Sequence, residues 1–75
     1  VPTVLREAGL RILIYTDDHP PPHVHAFWDG ETKIALLRPE VVRIVGADRR
    51  ESRRALDIVR EKRDYLLERW RDIHG

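Results

Sequence analysis

Three of the four histidines in this chain fall within one seven-residue run, His19-Pro20-Pro21-Pro22-His23-Val24-His25. An imidazole titrates near neutral pH, so it can give or take a proton, and in its neutral form it can ligate a metal ion. On a strand, His23 and His25 share one face with Cα atoms roughly 6.5–7 Å apart, so both rings can reach one object. Three kinds of object suit them. The first is an RNA phosphodiester, cleaved without metal. His23 and His25, with His19 as a third candidate, would then serve as general base for the 2′-hydroxyl and general acid for the leaving oxygen. A cation must also hold the phosphate, for which Arg11 or an arginine of the C-terminal half is the candidate. The second is a divalent metal, held by the His-x-His pair and by His19 or Asp18 from the preceding loop, with a position left open. The third is structural: the rings hydrogen-bond the loop and pack against Tyr15 or Phe27 while the prolines fix its shape. A stiff loop also lowers the ordering cost of a binding site. Residue types alone leave the three open. No cofactor is required, and a metal held by His19, His23 and His25 is not favoured over the other readings.

The elements that would position these residues are legible from periodicity. Pro2 to Glu7 reads as a first strand, and Ala8-Gly9 as a turn in which glycine takes positive φ. Leu10 to Thr16 is rich in β-branched and aromatic residues and suits a central strand, with Ile12 and Ile14 on one face and Arg11, Leu13 and Tyr15 on the other. Asp17 to Pro22 must be a loop, because consecutive prolines donate no ladder hydrogen bonds. His23 to Trp28 alternates again: His23, His25 and Phe27 on one side, Val24, Ala26 and Trp28 on the other. Asp29-Gly30 is the sequence of a two-residue type I′ hairpin turn, and Glu31 to Leu37 pairs back. Arg38-Pro39-Glu40 breaks that strand, and Val41 to Val45 is a last strand or an extended lead-in.

Asp48 is an N-cap with Glu51 three residues on, close to a capping box. Nothing from Arg49 to about His74 breaks a helix. Ala55, Val59, Leu66, Trp70 and Ile73 form its apolar stripe, flanked by Leu56 and Leu67. Arg53–Asp57 and Arg60–Asp64 are spaced for i,i+4 pairing. The expected fold is therefore α+β: an antiparallel four- to five-stranded meander (residues 1–45) with one long C-terminal helix (48–74) packed on one face. Residues 1–75 make a single domain, and one sheet face or edge is left uncovered.

Composition narrows the functions. The chain has 75 residues, net charge +1 and no cysteine, which excludes disulfides and thiolate metal sites. A chain this short buries only roughly 60% of its unfolded surface, so its core is thin. No apolar run of about 18 residues spans a membrane, and no export signal opens the sequence, so the expected location is the cytoplasm. Twelve of the 14 basic residues are arginine, eight of them between Arg49 and Arg71. Arg49, Arg50, Arg53 and Arg54 crowd the expected helix N-terminus, where cations oppose the dipole. They are candidate contacts, with Arg11 and Tyr15, for phosphate or for an acidic partner. A solvated basic patch paired with Glu51 and Asp57 explains them equally well.

Pro2-Thr3-Val4-Leu5-Arg6, Asp18-His19-Pro20-Pro21-Pro22-His23-Val24-His25 and the late Arg63, Leu66-Leu67 and Trp70 occur in this order and spacing. With them the chain resembles, over nearly its whole length, a family of small bacterial proteins catalogued as domain of unknown function 4160. That resemblance implies a toxin-like component of a type II toxin–antitoxin module, paired with a protein partner resembling domain of unknown function 2442. The functional expectation is a toxin-like protein acting on RNA or translation through His23 and His25, as a metal-independent ribonuclease if it is an enzyme. The alternatives are a non-enzymatic module docking a partner on its open sheet and basic helix end, and a His-ligated metal-binding protein.

Overall fold

A computed structural model of the chain describes residues 3–75. Five strands run in the order β1 (Thr3–Glu7), β2 (Leu10–Leu13), β3 (His23–Phe27), β4 (Glu31–Ala35) and β5 (Glu40–Val45). Each pairs antiparallel with the next, giving one five-stranded meander. Pro2, the expected start of the first strand, lies outside the described residues. Two helices follow, α1 (Arg49–Glu61) and α2 (Arg63–His74).

The alternation within the strands decides what each face buries. Leu10, Ile12, Ile14, Val24, Ala26, Ile34 and Leu36 join Ala55, Ile58, Val59, Leu66, Leu67 and Trp70 in one apolar core beneath the helices. Thr32 is the polar exception on this face, and its buried hydroxyl meets that of Ser52 on α1 at 3.0 Å. The opposite face carries Leu13, His23, His25, Glu31 and Lys33, and the connection from β2 to β3 lies against its centre. β5 is an edge strand, with Val42, Ile44 and Val45 exposed.

The single long helix expected from sequence is two. Lys62, at φ −101° and ψ 15°, kinks the chain, although Lys62 N–H still donates to Ile58 O and Leu66 N–H to Lys62 O. A straight helix over residues 49–74 would be about 39 Å long at about 1.5 Å per residue, longer than the 33 Å greatest extent of the molecule. Kinking lets α1 cover β4 and β5 while α2 turns across the sheet end. Arg63 fixes the corner by donating from Nε to Leu36 O (3.1 Å) and from Nη2 to Leu37 O (3.0 Å). Tyr65 then donates its hydroxyl hydrogen to Val4 O of β1. The expected i,i+4 pairs are replaced among the described residues by Arg63–Asp64 and Arg69–Asp72.

Two turns differ in an informative way. Ala8 and Gly9 both take positive φ (51° and 84°), so the mirror-image turn sits between β1 and β2. Asp29-Gly30, by contrast, is not such a turn. Phe27 pairs with Glu31 across a three-residue connection, Trp28-Asp29-Gly30. Glycine is needed at position 30 because a Cβ there would lie 2.2 Å from the Gly46 carbonyl carbon. Asp48 caps α1 as expected, accepting the Glu51 N–H at 2.8 Å. The Glu51 carboxylate does not close the capping box; it accepts the Gly30 N–H instead and ties the hairpin to the helix.

Candidate metal centre

β3 carries His23 and His25 side by side, both buried with about 7% of their surface exposed. Their cover comes from the connection after β2. There Asp18 N–H donates to Tyr15 O at 3.1 Å, and the Asp18 carboxylate accepts the Tyr15 N–H at 3.0 Å, closing a tight turn. This turn aims the carboxylate down onto both rings. Asp18 Oδ1 is 3.5 Å from His23 Nε2, and Asp18 Oδ2 is 3.2 Å from His25 Nε2. Tyr15 meets the His25 ring edge-on at 4.7 Å, and Trp70 of α2 lies 5.3 Å from the His23 ring.

The other nitrogen of each ring fixes its role. His23 Nδ1 is 3.0 Å from Pro21 O, and a carbonyl oxygen can only accept, so the ring donates there. His25 Nδ1 is 2.6 Å from Glu31 Oε2 and donates to that carboxylate. In each neutral imidazole, Nε2 is therefore left with a lone pair. Two lone pairs and a carboxylate thus converge, and all three ligand atoms lie within 4.8 Å of one another. Acceptors crowded in this way need positive charge between them. Protonating both rings would place two imidazolium ions 5.1 Å apart in a buried site. One divalent cation satisfies all three groups at once. In a tetrahedral zinc site with bonds of about 2.0–2.1 Å, ligand atoms lie about 3.3 Å apart, close to the 3.5 and 3.3 Å from Asp18 Oδ1 to His23 Nε2 and His25 Nε2. The carbonyl and carboxylate behind the rings are the partners that orient metal-bound histidines.

Asp18 is kept ionised. Burial is the largest single influence and raises its pKa. In the metal-free site the Tyr15 N–H, the hydrogen bond that His25 donates when its Nε2 is protonated and the charge that His25 and His23 carry when protonated together outweigh it and bring the pKa below the ordinary 3.8.

Comparison with protein families matches residues 9–71 to the family described as Domain of unknown function (DUF4160). The chain belongs to this family. No curated protein and no solved structure matches it.

In this DUF4160 chain the centre opens into a hollow of about 480 Å³, lined by the proline loop and by Lys33 and Arg43 of the neighbouring strands. His19 is exposed on the rim and takes no part in the ligand cluster; the third ligand position belongs to Asp18. Tyr15 is at the site. The other sequence candidates lie elsewhere: Arg11 sits over the Phe27 ring at 5.7 Å, Arg50 and Arg54 line a hollow beside Trp28, and Arg49 and Arg53 line one beside Ile44. Glu31, Lys33 and Arg43 have no place among those candidates. A two-residue turn at Asp29-Gly30 would have put Glu31 and Lys33 on the helix-covered face, and the three-residue connection moves them to the histidine face. Their presence beside His25 follows from that one-residue shift in register.

Proposed function

We propose that the protein binds one divalent transition-metal ion, zinc in the first instance, through Asp18, His23 and His25, and that the centre is hydrolytic. The convergence of two oriented Nε2 lone pairs on one buried carboxylate carries this reading. Three protein ligands and an open side are the arrangement of catalytic rather than structural zinc. An ion held there would supply an activated water for attack on an ester. The metal-independent alternative is less well served. A general acid and a general base must stand on two sides of the reacting phosphate, whereas both rings here point at the same carboxylate.

Calorimetric titration of untagged, chelator-stripped protein with Zn²⁺ should give one site, abolished in His25→Ala and Asp18→Asn. At a free metal concentration of 100 Kd the gain is about 2.7 kcal/mol, a rise in Tm of roughly 10–20 °C for a chain of this size. Binding well below one ion per chain, or undiminished in both variants, would sink the proposal.

A toxin-like role against RNA in the cytoplasm, with a partner resembling the 2442 family, rests on the family resemblance and suits a hydrolytic centre. Induced expression of the chain alone should arrest growth, and His25→Ala should relieve the arrest. Arrest by both proteins would place toxicity outside the centre, and arrest by neither would remove the toxin role.

A further inference from the structure

The face that carries the centre also carries a pairing that an ordinary sheet avoids. Across β3, β4 and β5, His25 stands opposite Lys33, and Lys33 stands opposite Arg43. Like charges directly opposite one another on neighbouring strands are destabilising. Neither cation has a carboxylate within ion-pair distance among the described residues, whose ion pairs involve His23, His25, Arg63 and Arg69. Both line the hollow into which Asp18, His23 and His25 open.

We propose that Lys33 and Arg43 form an anion subsite beside the metal centre, and that the substrate is a phosphate ester held by its phosphoryl oxygens between the two cations and the metal. This rests on the metal reading above. Charge supports the order of events. Asp17, Asp18 and Glu31 surround the hollow and its floor, so with neutral histidines and two cations the neighbourhood is net −1. A bound divalent ion makes it +1, so the anion follows the metal. A guanidinium offers the planar fork that matches two phosphoryl oxygens, and an ammonium offers a point charge. The hollow of about 480 Å³ falls in the size range of small-molecule sites and is roomier than inorganic phosphate requires, so the ester's organic group sits against Pro20–Pro22 and Val42.

The test uses the full chain in two stages. Zn²⁺ affinity is measured first for the wild type and for the double variant Lys33→Gln/Arg43→Gln. Removing two nearby cations should leave it unchanged or tighter, with folding retained because a like-charged pair is gone. Inorganic phosphate, a nucleoside 5′-monophosphate, a dinucleoside phosphate and succinate are then titrated into each protein with and without zinc. The expected result is metal-dependent binding of the two esters, tighter than inorganic phosphate and succinate, and at least tenfold weaker in the double variant. Equal ester binding by wild type and variant overturns the subsite, as does no ester binding by the zinc-loaded wild type. Phosphate or succinate binding as tightly as the esters overturns the substrate class. Ester binding that needs Lys33 and Arg43 in a chain that takes no zinc keeps the subsite and removes the metal reading instead.

Discussion

At the centre of the sheet the two faces are buried to similar degrees by opposite means. Under the helices, Ile58 and Val59 of α1 and Leu66 of α2 close an apolar core with the strands. On the other face His23 and His25 are as inaccessible as Ile58, each about 7% exposed, yet what surrounds them is carboxylate, carbonyl and aromatic ring. Apolar burial is non-directional and scales with area. Polar burial is tolerated only when each donor and acceptor has a partner. The comparison therefore assigns stability to the first face and chemistry to the second.

The largest effect should come from the apolar side. Leu66→Ala should cost about 2–5 kcal/mol, a large part of the stability of so small a chain, read as a fall in urea midpoint. The zinc affinity of the protein that remains folded should not change; a parallel loss of affinity would merge the two faces into one unit. The reverse experiment is Glu31→Gln. Weakening the partner behind His25 should reduce zinc affinity by roughly 10–100-fold, while His19→Ala should change it less than twofold. Equal effects of the two would return His19 to the ligand set.

A third difference lies in pH. The pKa of Asp18 is below its ordinary 3.8 in the fold, so the unfolded chain takes up the proton more readily. The stabilisation it gives is complete above that ordinary value and is lost as pH falls through the lower, folded one. In metal-free protein, the stability gap between wild type and Asp18→Asn should hold near pH 5 and close toward pH 2, whereas the Leu66→Ala gap should not close in this way. A constant Asp18→Asn gap would mean that its hydrogen bonds, rather than its charge, hold the loop.

The smallest effect concerns neither face. Ala8 is held at φ 51° in the β1–β2 turn, a conformation that costs a residue with a Cβ about 1–2 kcal/mol. Ala8→Gly should recover up to about 1 kcal/mol of this in thermal unfolding and leave zinc binding untouched. Destabilisation would show that the turn gains from its alanine.

Much of the helix-covered face was legible beforehand, because period-2 alternation in Leu10–Ile14 and His23–Trp28 and the stripe from Ala55 to Trp70 are local patterns. The site was legible in part. His23 and His25 are two apart on a strand and must share a face, and Asp18 was one of two loop groups that could complete a metal set. The choice between Asp18 and His19 was not local: the Tyr15–Asp18 turn turns one side chain inward and leaves the other at the rim.

By itself, then, the sequence determined the α+β class, the order of the strands, the apolar half of the core, the N-cap at Asp48 and a strand presenting two histidines together. Each of these follows from interactions within a few residues, which the chain carries wherever it goes. Only the tertiary structure decided the kink at Lys62, the register that brings Glu31 and Lys33 onto the histidine face, and the carboxylate that meets both rings. Those depend on contacts between distant segments: Arg63 with the carbonyls of Leu36 and Leu37, and Gly30 against Gly46. A one-residue change in a hairpin moves every following side chain to the other face. No local pattern in Asp29-Gly30 reveals that shift.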